Sequence, residues 1–73
     1  METFTIDIAG SPVSITRGKD YTVEFIPKDS TSDKVITKNG TILGLSIGNR
    51  FLKVKQNGVE YSIPVDELVA VKE

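Results

Sequence analysis

Arg50-Phe51-Leu52-Lys53-Val54-Lys55-Gln56-Asn57-Gly58-Val59-Glu60-Tyr61-Ser62-Ile63 decides the fold class. Successive side chains of a strand point to opposite faces, so period-two alternation is the mark of a half-buried strand. Over residues 50–55, Leu52 and Val54 form an inward set, and Phe51, Lys53 and Lys55 an outward one. Over residues 59–63 the apolar set is Val59, Tyr61 and Ile63. Asn57-Gly58 lies between the two runs. Both residues tolerate positive φ, as a type I′ hairpin turn demands.

The same alternation extends outward in both directions. Phe4, Ile6 and Ile8 alternate with Thr3, Thr5 and Asp7. Ala9-Gly10-Ser11-Pro12 reads as a turn, and Val13-Ser14-Ile15-Thr16 alternates again, so residues 3–16 predict a hairpin. Gly18-Lys19-Asp20 is a second break. A third strand covers residues 21–26, with Tyr21, Val23 and Phe25 on one face, and Pro27 ends it. Residues 28–33 hold no apolar side chain and predict a solvated loop. A short strand over residues 34–38 leads into Asn39-Gly40, a second hairpin signal. The chain returns over residues 41–47 with Leu43, Leu45 and Ile47 on one face. Gly44 inside that strand predicts a bulge or sharp bend. Gly48-Asn49 turns it back. Residues 64–68 suit a single 3₁₀ turn, with proline at its start and Asp66 as its cap. Residues 69–71 close as a last strand.

Composition bounds the rest. The chain has 73 residues, net charge −1, no cysteine and no histidine. One domain, residues 1–73, uses all of it. A chain this short buries only about 60% of its unfolded surface. With no disulfide and no metal to staple it, the core must be efficient or helped by a second subunit. Met1-Glu2-Thr3-Phe4 has neither a basic n-region nor an apolar h-region, so no signal peptide is expected. No apolar run is long enough to span a bilayer. Absence of cysteine suits a reducing, cytoplasmic location.

Charge is segregated along the chain. Residues 34–59 contain Lys34, Lys38, Arg50, Lys53 and Lys55 and no acid, whereas residues 1–33 and 60–73 are each net acidic.

Catalytic and metal chemistry find few candidates. Without His or Cys only oxygen ligands remain, and Asp29 with Asp33 lacks the spacing of a calcium loop. Asp66 and Glu67 are adjacent, so they point in different directions and form no acid–base pair. Ser46 and Ser62 lie in strands without a candidate base. Gly40, Gly44 and Gly48 precede no helix and so cradle no phosphate. The reading is a non-enzyme without a cofactor.

Several segments in order, residues 41–47, 50–55, 59–63, the turn at 64–68 and the strand at 69–71, give hairpin strands, one turn and a short closing strand. That order resembles the SH3-like small β-barrels. Lys38-Asn39-Gly40-Thr41-Ile42-Leu43-Gly44 looks like the opening of a KOW-type module. It is also similar to the first motif of Sm-like and Hfq-like proteins, where Asn-Gly precedes an apolar strand with an internal glycine. The resemblance covers residues 34–71 and implies a fold without naming a ligand. The expected fold is therefore all-β, a small SH3-like barrel of five to six short antiparallel strands. An N-terminal β-hairpin and one 3₁₀ turn complete it.

Two surfaces carry the functional expectation. Arg50, Phe51, Lys53 and Lys55 combine cations with an aromatic, the ingredients for neutralising a nucleic-acid backbone and stacking a base. Against that, the sequence pI is about 5.3, far below a dedicated binder's, and outward lysines also keep strand edges soluble. Phe51, Ile26, Ile36 and Ile42 fall outside their strands' main apolar sets, and such leftovers mark an interface when they share a patch. A bend at Gly44 would instead return some of them to the core. The candidate surface is Arg50, Phe51, Lys53, Lys55, Lys38, Tyr61 and Ile42. The first function expected is a protein-interaction or regulatory module, with a homodimer among its forms. A phage- or plasmid-type accessory modulator of a larger machine has this profile. The second is nucleic-acid binding through residues 50–55. No membrane partner is expected.

Overall fold

Two of the turns the sequence marks, Ala9-Gly10 and Asn57-Gly58, join two strands through adjacent left-handed residues. The computed structural model describes residues 2–29 and 33–73. Part of the loop expected over residues 28–33 therefore lies outside the described residues. Strands β1 (Thr3–Ile8) and β2 (Ser11–Thr16) form a hairpin with Thr3 opposite Thr16 and Ile8 opposite Ser11. Ala9 and Gly10 turn it with φ of 52° and 84°, as a type I′ turn requires. Strand β3 (Asp20–Phe25) follows, then β4 (Ile36–Ser46), β5 (Phe51–Gln56) and β6 (Val59–Pro64). A 3₁₀ turn (Val65–Glu67) leads into β7 (Leu68–Lys72). Asn57 and Gly58, at φ 52° and 80°, make the expected turn between β5 and β6.

The all-β reading holds, with two corrections. The barrel is not closed. Strands β6, β5, β4, β3 and β7 form one antiparallel sheet in that order, and β1 with β2 forms a separate two-stranded sheet. The apolar surface that closure would bury is covered instead by the hairpin. Ile6, Ile8 and Ile15 from the hairpin share one core with Tyr21, Val23, Ile42, Leu52, Val54, Ile63 and Leu68. The Thr16 amide donates to the buried Tyr21 hydroxyl at 2.8 Å, so the one polar atom of that core is satisfied where hairpin meets sheet.

The second correction concerns Asn39-Gly40, which is no turn. Both residues lie inside β4, opposite Thr22 and Tyr21 of β3. The expected strands over 34–38 and 41–47 are thus one strand of 11 residues. Its first half pairs with β3 up to Thr41, and from Thr41 onward it pairs with β5. Where it changes partner, a Cβ at position 40 would collide with the Lys55 carbonyl oxygen and lie 3.0 Å from Val54 Cγ1. Glycine is needed there for close approach of two strands, not for a turn.

The bulge expected at Gly44 is present: the register of β4 on β5 shifts between Ile42 and Gly44. Its effect on facing is large. Ile42 opposite Val54 and Leu45 opposite Leu52 both face the core, although their numbers differ in parity. Ile42 is therefore core rather than a leftover. Ile47, expected inward with Leu45, is 71% exposed.

Among the described residues no helix is long and apolar enough to cross a membrane.

Candidate interaction surface

Folding divides the expected surface residues into three places and removes one. Ile42 is fully buried and is not a surface residue. Phe51, Lys53 and Lys55 share the outer face of β5, opposite Pro64, Ser62 and Glu60 of β6. Tyr61 and Lys38 belong to the other face, because they lie opposite the buried Val54 and Val23. There the Lys38 ammonium sits 4.3 Å from the Tyr61 ring centroid, a cation–π contact between β4 and the edge strand β6. Among the other leftovers, Ile36 is exposed and Ile26 half-buried.

Two recesses flank β5. At its start, a groove of about 600 Å³ is lined by Asp7, Asn49, Arg50, Phe51, Pro64, Val65 and Asp66. Four backbone and side-chain contacts hold the 3₁₀ turn that forms one wall. The Val65 amide donates to the Arg50 carbonyl at 2.9 Å, fixing the 3₁₀ turn against the start of β5. The Ile26 amide donates to the Glu67 carbonyl at 3.0 Å, and the Lys28 amide to Glu67 Oε2 at 3.1 Å. Lys28 Nζ reaches Asp66 Oδ2 at 2.8 Å. That hydrogen bond holds the Asp66 carboxyl below its ordinary value, and the same contact raises the Lys28 ammonium. Asp66 is therefore not the cap expected of it: the residue capping the turn is Pro64, with no side-chain cap bond.

At the far end of β5 lies a polar cleft of about 490 Å³, lined by Asp20, Thr22, Asn39, Lys55, Gln56 and Asn57 among others. Several of its polar groups bond to each other. Thr41 Oγ1 donates to Asp20 Oδ1 at 2.6 Å, and Thr22 Oγ1 to Asn39 Oδ1 at 2.7 Å.

The charge segregation of the sequence survives folding. All four bases outside residues 34–59 pair with acids also outside it: Arg17 with Glu2, Lys19 with Glu73, Lys28 with Asp66 and Lys72 with Glu24. Within the basic stretch Lys53 reaches Glu60 only at 4.0 Å. Among the described residues, Arg50, Lys55 and Asp7 have no ion-pair partner, and neither have Lys38, Asp20, Asp29, Asp33 and Glu67. No group of three or more acidic, His or Cys side chains suited to a metal ion occurs among the described residues.

The groove joins residues that alternation could not bring together. Arg50 and Phe51 are adjacent in sequence, but Asp7, Pro64 and Val65 reach them only through the fold. Compared with known protein families, curated proteins and solved structures, the chain matches none.

Proposed function

We propose that this chain is a non-catalytic protein-interaction module that takes a short segment of a partner protein into the groove at Phe51, Pro64 and Val65. One observation carries the reading: an apolar lining with an unpaired cation, Arg50, and an unpaired anion, Asp7, on the same groove. A buried apolar anchor ringed by charges that fix orientation is how small interfaces concentrate affinity and specificity. An SH3-like assignment is part of the proposal. It is supported by the meander of β3 to β6, the 3₁₀ turn, and the return of β7 beside β3.

The test is affinity capture, then titration of the purified chain with the captured protein. Phe51→Ala and Arg50→Glu are expected to weaken binding about tenfold or more, with the far-UV spectrum unchanged for Arg50→Glu. Lys55→Glu, remote from the groove, should bind normally. A partner held equally well by both groove variants would overturn the site.

A second reading, nucleic-acid binding, is favoured by one observation. Arg50 and Lys55 leave the folded chain with no carboxylate neutralising them.

A further inference from the structure

The tip between β4 and β5 carries a conformational cost. Ile47, Gly48 and Asn49 have φ of 52°, 65° and 66°, three successive left-handed residues. Gly and Asn take that conformation readily, but for a β-branched residue it is a true outlier. Ile47 is also, among the described residues, the most exposed large hydrophobic side chain, at 71%. It therefore receives neither comfort from its backbone nor burial for its side chain. Strain of this kind persists only where the surrounding structure enforces it, and it clusters at binding and active sites.

Its position bears on the groove. Asn49 lines the groove and Ile47 lies two residues away, within about 7 Å along the chain. The Arg50 amide ties the tip back, donating to the Ser46 carbonyl at 3.2 Å and more weakly to that of Ile47 at 3.4 Å. The groove's neighbourhood thus offers an apolar knob, Ile47, two residues from the lining Asn49, and an apolar recess at Phe51, Pro64 and Val65. It also holds a free cation, Arg50, and a free anion, Asp7. A patch that carries both members of each complementary pair is what a two-fold, isologous interface requires.

We infer that the groove's occupant is a second copy of this chain. Each copy's Ile47 enters the other's groove, and Arg50 of each copy pairs with Asp7 of the other. This rests on the groove proposed above and names its partner.

Sedimentation equilibrium of the full chain from about 1 μM to 1 mM tests it. A monomer–dimer equilibrium is expected, weakened about tenfold or more by Ile47→Gly and by Arg50→Asp. The double variant Arg50→Asp with Asp7→Arg should restore association, because reversed charges still match across a two-fold axis. At concentrations where only monomer is present, Ile47→Gly should melt about 4–8 °C higher, since glycine removes the strain. Higher stability with lost association separates an interface role from a structural one. A chain that stays monomeric to 1 mM, or a dimer indifferent to Ile47→Gly, overturns the inference. Either result leaves the groove as a site for a different protein, which the capture experiment decides.

Discussion

Two glycines separate the reasons a position excludes side chains. At Gly58 nothing lies within 4 Å of an added Cβ, but φ is +80°. At Gly40 φ is unremarkable, yet an added Cβ meets the Lys55 carbonyl oxygen, and a backbone atom held in a ladder cannot swing aside. Gly58→Ala should therefore cost about 1 kcal/mol, the toll of a left-handed alanine. Gly40→Ala should cost about 3 kcal/mol or more, as overpacking that only a backbone shift relieves. Urea denaturation of the two variants reads the difference through the midpoint at unchanged slope. Equal losses would mean that the crossing of β4 and β5 tolerates a methyl group and that position 40 needs no glycine. Arg17 provides a milder case. Its guanidinium lies over Gly44, 3.1 Å from where a Cβ would sit, and pairs with Glu2 at 2.7 Å. Because the flexible arm can move, the space at Gly44 is less stringent than at Gly40, though its φ of +135° still favours glycine.

Among the elements, the N-terminal hairpin does for this sheet what closure does for a barrel. Ile15 is fully buried against residues of the sheet, so Ile15→Ala should cost about 2–5 kcal/mol. For 73 residues, total stability is on the order of 4–11 kcal/mol, and that loss is a large share of it. Tyrosine fluorescence and far-UV circular dichroism should lose their signals together in urea, because hairpin and sheet share one core. Two separated transitions would show the hairpin to be an appendage. The hairpin was legible because Ala9-Gly10 sits between two clean alternations. The β5–β6 turn was legible at Asn57-Gly58 for the same reason. Asn39-Gly40 carries the same local chemistry and misleads, because the need for glycine there comes from Lys55, which lies 15 residues further along the chain. The Gly44 bulge was legible too, but one extra residue reverses facing beyond it. That put Ile42 in the core on the same face as Leu45, whereas Ile47 is in solvent because β4 ends at Ser46 and the chain turns there in a left-handed conformation. Of the groove, only the neighbours Arg50 and Phe51 could be read along one strand. Asp7 and Val65 are brought to it by tertiary packing.

For the whole molecule, the distribution of charge decides how far the nucleic-acid reading goes. The acidic ends pair with their own bases, so Arg50 and Lys55 of the basic stretch keep their charge unanswered after folding. Yet the free cations are few. Arg50 and Lys55 sit at opposite ends of the β5 region, with Lys53 between them and partly answered by Glu60. Two or three phosphate contacts on a single strand give a slope of log K against log salt of about −1.4 to −2.1. The net charge of −1 supplies no long-range attraction to add to that. Single-stranded oligonucleotides titrated by fluorescence anisotropy should therefore bind weakly at low salt and detach before physiological ionic strength. Lys53→Glu with Lys55→Glu should abolish even that residue of binding without touching the groove. Phe51, beside Pro64 at the other end of β5, should then matter for protein capture and not for the oligonucleotide. Tight binding that survives physiological salt, lost in the lysine variant and indifferent to Ile47, would transfer the function from the groove to the outer face of β5.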